Sequence, residues 1–220
     1  MSVPRQLALA LPHEESFARE DFLVGEPNYS ALATIERWPD WPGRALLLIG
    51  PEGSGKSHLA GIWSELAGAR RIAARALGET DLLAALATGA LVVEDVQAEL
   101  DERALFHLLN LVREEEGFVL ITARATPATW NVALPDLASR LRAIPSVTLT
   151  APDDTLLRAV LVKLFADRQL AVDENLVRYI MTRVERSFAA ARQAVATLDR
   201  EALRLQRPVT RALAAELLGA

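Results

Sequence analysis

The sequence predicts an α/β fold, a parallel sheet with helices on both faces, followed by a small all-helical second domain. Three observations lead there. Short apolar runs alternate with helical patterns over the first two thirds of the chain, a glycine-rich turn joins the first run to the helix after it, and beyond Pro152 only helical periodicity remains. With 220 residues, 51% of them hydrophobic, the chain can bury a sizeable core, as one large domain or as a base with an appendage.

Taken in order, "RALLLIG" (44–50) reads as a buried strand, and "SHLAGIWSELAG" after it sets Leu59, Ile62, Trp63 and Leu66 at helical spacing before Gly68 ends the helix. "GALVVED" and "GFVLITA" are two further strands, opened by Gly89 and Gly117, with the helical "ERALFHLLNLVREEE" between them. "SVTLTAP" makes a fourth. Strands separated by helices imply parallel pairing with both faces covered. In the second domain "DTLLRAVLVKLFADR", "DENLVRYIMTRVE", "SFAAARQAVATLDREALRL" and "TRALAAELL" read as helices, N-capped by Asp153, Asp173, Ser187 and Thr210.

Composition narrows the function. The longest apolar runs, such as 45–49 and 90–93, fall far short of the ~20 residues that cross a bilayer. The first residues lack a signal-peptide pattern, so a cytoplasmic protein without a membrane partner is expected. There is no cysteine, and His13, His58 and His107 are scattered, which leaves no thiolate or histidine metal site to propose. Net charge is −5 with the basic residues spread, so proteins or nucleotides are better partners than duplex nucleic acid.

The chemistry begins at "GPEGSGKS", which fits G-x-x-x-x-G-K-[ST] between a predicted strand and a predicted helix. In such a turn Gly50, Pro51, Glu52, Gly53, Ser54 and Gly55 wrap backbone N–H groups around a phosphate, Lys56 reaches its oxygens, and the Ser57 hydroxyl can ligate Mg²⁺, with His58 alongside. At the end of "LVVED", Glu94 and Asp95 are candidates to hold Mg²⁺ and to orient an attacking water, Glu94 being one methylene longer than the usual aspartate. The other reading is that two acids there merely begin a solvated loop, and the order of the strand after the P-loop favours the functional one. Thr122, finishing "VLIT", is a candidate to position water, or simply a strand-ending threonine. In "LPDLASRLRAI", Arg140 and Arg142 share a short helix before the last strand, and Arg140 could reach the phosphates of a neighbouring subunit or settle into a surface salt bridge.

The stretches "GPEGSGKSHL", "LVVEDVQ", "VLITARATP", "LPDLASRL" and "APDDTLLRAVLVKLFADRQLAVDENLVRYIMTRVERS" together resemble the AAA+ ATPase module of the DnaA-related family, over nearly the whole chain. The order of "QLALAL", nucleotide domain and helical lid is similar to the Hda group of DnaA regulators. "FLVGEPNYSAL" resembles the family's segment before the P-loop, which implies that Phe22, Val24 and Asn28 line an adenine pocket. The resemblance also implies a clamp-binding peptide in which Gln6, Leu7, Leu9 and Leu11 dock in extended form on the β sliding clamp of DNA polymerase, with Ala10 where proline is frequent. Without it, an edge strand on the domain's own sheet is the simpler use of alternate leucines.

By the same resemblance, Arg140 matches an arginine finger acting in trans on ATP bound to DnaA. The lid arginine that senses nucleotide is replaced by Ala189, flanked by Arg186 and Arg192. The expected organisation is a peptide over 1–15, an AAA+ P-loop domain over 16–150 and a helical lid over 151–220. The expected ligands are ADP or ATP with Mg²⁺, the partners DnaA and the clamp, with DNA reached only through the clamp. The expected role is regulatory inactivation of DnaA. With the sequence read as ending after the lid and with an acidic balance, no DNA-reading module of the kind DnaA adds is expected, nor specific origin binding by this chain alone. Homodimerisation stays open. So do two other classes: a self-sufficient AAA+ ATPase or helicase loader working through Glu94 and Asp95, and more remotely a P-loop small-molecule kinase.

Overall fold

In the computed structural model, residues 17–96 and 100–219 are described. The chain divides into two compact units, 17–151 and, from Pro152 on, a helical unit.

The first unit runs α1 (Tyr29–Glu36), β1 (Ala45–Ile49), α2 (Lys56–Ala67), β2 (Arg70–Ala73), α3 (Leu82–Ala85), β3 (Ala90–Val96), α4 (Glu102–Glu114), β4 (Phe118–Ala123), α5 (Pro135–Ala143) and β5 (Ser146–Thr148). The strands form one parallel sheet in the order β2-β3-β4-β1-β5. Because successive strand residues face opposite ways, the apolar runs feed two cores. Leu47, Ile49, Leu91, Val93, Val119 and Ile121 pack on one face, and Leu46, Leu48, Val92 and Leu120 on the other. On the second face Trp63 of α2 is fully buried and stacks on Trp41 at 5.0 Å, which fixes the helix that follows the glycine-rich turn.

The strand absent from the sequence reading is β2. Its "RRIA" is short and half-exposed, so it lacks the apolar run that marked the others. Gly68 ends α2 in the left-handed conformation, at φ 61°, where a side chain would be strained.

The second unit comprises α6 (Asp154–Asp167), α7 (Glu174–Met181), α8 (Phe188–Leu205) and α9 (Arg211–Leu218). Asp153, Asp173, Ser187 and Thr210 are their N-caps, each side-chain oxygen accepting from the backbone N–H three residues on. Leu161, Phe165, Ile180, Val195, Leu198 and Leu213 fill its core. No helix among the described residues is long and apolar enough to cross a membrane.

Candidate functional site

The site is built where β1 turns into α2. Gly50 is required by contact: a Cβ there would lie 2.7 Å from Ser54 Oγ and 2.8 Å from the Leu149 carbonyl oxygen. Gly53 and Gly55 are required by conformation, at φ 71° and 97°. Gly55 is also the N-cap of α2 and offers no side chain to its first-turn N–H groups, so the positive end of the helix faces the turn uncapped. Ser54 Oγ is buried with no hydrogen-bond partner among the described residues. A cradle that excludes Cβ, with open amides and an orphaned hydroxyl, fits a phosphate.

Lys56 is buried, and its ammonium donates 2.8 Å hydrogen bonds to the Gly50 and Pro51 carbonyls. Burial holds its pKa below the ordinary 10.5, opposed by the charge of Asp95, reinforced by Arg124 and opposed by Glu52. Arg124 follows β4 and pairs with Glu52 of the turn at 2.9 Å. Sequence reasoning missed Arg124, whose only signal was its place two residues after Thr122. Ser57 is exposed at the start of α2, while Pro51 and Glu52 lie on the outside of the turn.

The two acids of β3 part company. Val93 pairs with Ile121 and Val96 with Ala123, so two residues of β3 stand against the single Thr122 of β4. Asp95 takes up the bulge at φ 58°, unusual for a residue with a side chain, and its N–H donates to Thr122 Oγ1 at 3.0 Å. The bulge turns the neighbouring side chains to different tasks. Glu94 accepts from Arg71 Nε at 2.7 Å and ion-pairs with Arg71 Nη2 at 2.5 Å, whereas Asp95 is the acid whose charge acts on Lys56.

The expected Mg²⁺ ligand Glu94 is therefore engaged by a strand the sequence did not reveal, and of the two acids Asp95 is the one whose charge acts on Lys56. Buried Thr122 supports the bulge through its hydroxyl. Among the described residues no three His, Cys, Asp or Glu side chains come together as a metal cage. A Mg²⁺ ion held by Ser57 and Asp95 would complete its shell with water and phosphate oxygens, as this ion commonly does.

The segment expected to border adenine is ordered by its own contacts. Phe22 is 6% exposed and sits in the core, edge-on to the His58 ring at 5.1 Å. The Asn28 side chain accepts from the Gly25 N–H and donates to the Leu23 carbonyl, both at 2.9 Å, latching the loop. Val24 presents an exposed side chain on that loop. His58 lies within hydrogen-bonding distance of the Ala18 carbonyl, 3.1 Å away, and packs on Phe17 and Phe22, so it contributes to the loop's seat.

Arg140 lies on α5, half-buried, donating to Asn110 Oδ1 at 2.6 Å and stacked over the Phe106 ring at 4.6 Å. Both partners come from α4. Among the described residues no carboxylate ion-pairs with it, so an amide and a ring orient the guanidinium without neutralising its charge. Arg142 is exposed on the same helix. In the helical unit Ala189 falls in the first turn of α8, and Arg186 pairs with Asp154 at 2.9 Å. Gln6, Leu7, Leu9 and Leu11 lie outside the described residues.

No family model matches the chain. Its fold is similar to domain III of the Thermotoga maritima replication initiation protein DnaA, with a TM-score of 0.78 at 21% identity over 92% of this chain and 95% of that one. Aquifex aeolicus DnaA bound to AMPPCP gives 0.66 at 16% identity, covering 86% and 67%. The Thermotoga maritima RuvB branch migration motor gives 0.72 at 15% identity, covering 93% and 72%. Identities this low establish architecture alone, and the chain accordingly has an α/β AAA+ fold like that of DnaA domain III.

Proposed function

We propose that the chain is a DnaA-related regulator of replication initiation that holds ADP or ATP with Mg²⁺ at the 50–57 turn and lends Arg140 to ATP bound by DnaA. In this reading, residues 6–11 tether it to the β sliding clamp on DNA. Tethering raises the effective concentration of a weak binder, often to the millimolar range. The observation that carries the reading is the state of Arg140: oriented by Asn110 and Phe106, yet left with its charge uncompensated. An arginine held by an amide and a ring is oriented while its charge stays available to another anion. An arginine finger has to keep its charge for the developing charge on a γ-phosphate, and such a finger is worth ~10³ to 10⁵ in rate.

The test is hydrolysis of DnaA-bound ATP with clamp loaded on DNA. Arg140→Ala is expected to abolish the stimulation while leaving nucleotide binding intact. Gln6→Ala is expected to lose clamp binding and, with it, most of the stimulation. The second reading, an ATPase acting on its own nucleotide, draws on the charge of Asp95 at Lys56. Rapid ATP turnover by the isolated chain would favour it.

A further inference from the structure

β2 and β3 run parallel with Arg71 opposite Val92 and Ala73 opposite Glu94, so Arg71 and Glu94 lie diagonally on the sheet face that carries α2. The pairing is firmly built. Arg71 grips Glu94 Oε1 through both Nε and Nη2, and the two side chains are only 30% and 20% exposed. The plane of its guanidinium covers the Phe17 ring at 4.9 Å. Phe17 is in turn seated against α2 where Gly61 has no Cβ, since one there would come within 2.6 Å of Phe17 Cβ, and it meets the His58 ring edge-on at 5.7 Å. Arg71 is thus held from below as well as from the side, and an arginine keeps its charge at any pH the protein meets.

The consequence falls on the phosphate site. Glu94 precedes Asp95 within β3, where the sequence offered a carboxylate for a metal, yet the charges acting on Lys56 are those of Asp95, Arg124 and Glu52. We propose that Arg71 is a positioning residue that keeps Glu94 off a bound Mg²⁺, which leaves the ion to Ser57 and Asp95 and gives it only a small share in retaining the nucleotide. The inference rests on the nucleotide-binding reading above and names the regulation of that same site.

Two measurements test it on the full chain: the affinity for a fluorescent ADP derivative with Mg²⁺ and with EDTA, and the electron paramagnetic resonance of Mn²⁺ in the presence of ADP. In the wild type Mg²⁺ should change the affinity little. Arg71→Gln should free Glu94, so that Mg²⁺ strengthens nucleotide binding about fivefold or more beyond the wild-type response, with tighter Mn²⁺ binding to match. Adding Glu94→Gln to Arg71→Gln should remove that gain, and Arg71→Lys, which can still pair with Glu94, should stay close to wild type. An Arg71→Gln protein with an unchanged Mg²⁺ response, or a gain that survives the added Glu94→Gln, overturns the inference while leaving the nucleotide reading intact. A wild type that binds no ADP under either condition overturns both. If Arg71→Gln fails to fold, a strong Mg²⁺ response in wild type and Arg71→Lys alike overturns it.

Discussion

The two units use the same backbone device for different ends. In the helical unit the left-handed residues Gln169 and Gln206 stand just past α6 and α8, where a positive φ ends a helix. In the α/β unit Glu116 and Asn131 do the same after helical turns, but Asp95 at φ 58° interrupts a strand, beside a turn that needs two more positive angles at Gly53 and Gly55. Left-handed backbone in the helical unit only punctuates helices; in the α/β unit it also does so, at Gly68, Glu116 and Asn131, and in addition builds the turn and bulge at Gly53, Gly55 and Asp95. The charge follows the same division. Residues 152–220 carry nine Asp and Glu against eleven Lys and Arg, whereas residues 17–151 carry eighteen against twelve. The acidic excess belongs with the unit that holds the turn, and there Lys56 and Arg124 are set among acids, Arg124 paired with Glu52 and Lys56 under the charge of Asp95.

The comparison breaks most readily in the helical core. Phe165 is fully buried, so Phe165→Ala should cost about 3–5 kcal/mol, read by denaturant unfolding. A loss below ~1 kcal/mol would mean that the unit is not held by packing.

In the α/β unit the largest effect should appear in binding rather than in stability. Lys56→Met should weaken ADP binding about a hundredfold by titration, the cost of removing a buried cation from an anion, while the protein without nucleotide stays folded. Lys56 also sets a pH signature. Its folded pKa lies below the unfolded 10.5, so between those two values the unfolded chain binds more protons and stability rises with pH. Lys56→Met should flatten that rise, measured by unfolding at a series of pH values approaching 10.5.

A smaller pair sharpens the contrast between capping and site building. Thr122→Val leaves the Asp95 N–H unpaired at a part-buried position, at about 1–3 kcal/mol, and should also weaken nucleotide binding. Ser187→Ala removes an N-cap of the helical unit at about 1 kcal/mol. Equal effects of the two on nucleotide affinity would erase the distinction drawn here.

How far the sequence could be read follows the same line. Helix starts in the second unit were legible because an N-cap is a local event: Asp153, Asp173, Ser187 and Thr210 each meet a backbone N–H three residues away. The buried strands and the glycine-rich turn were legible because apolar runs and glycines carry their own signal. The division of labour between Glu94 and Asp95 was not, since it depends on β2, a short polar strand paired only through the sheet, and on a bulge that Thr122 supports from β4. The partners of Arg140 were hidden for the same reason, Asn110 and Phe106 being about thirty residues away on α4.

The central claim is that Arg140 is oriented and charged for use outside its own unit. Its most direct test is single-turnover hydrolysis of ATP preloaded on DnaA, with clamp-loaded DNA and either wild type, Arg140→Ala or Arg142→Ala. The account predicts that Arg140→Ala loses about a thousandfold or more of the stimulated rate while Arg142→Ala keeps most of it. Full stimulation by Arg140→Ala would contradict it.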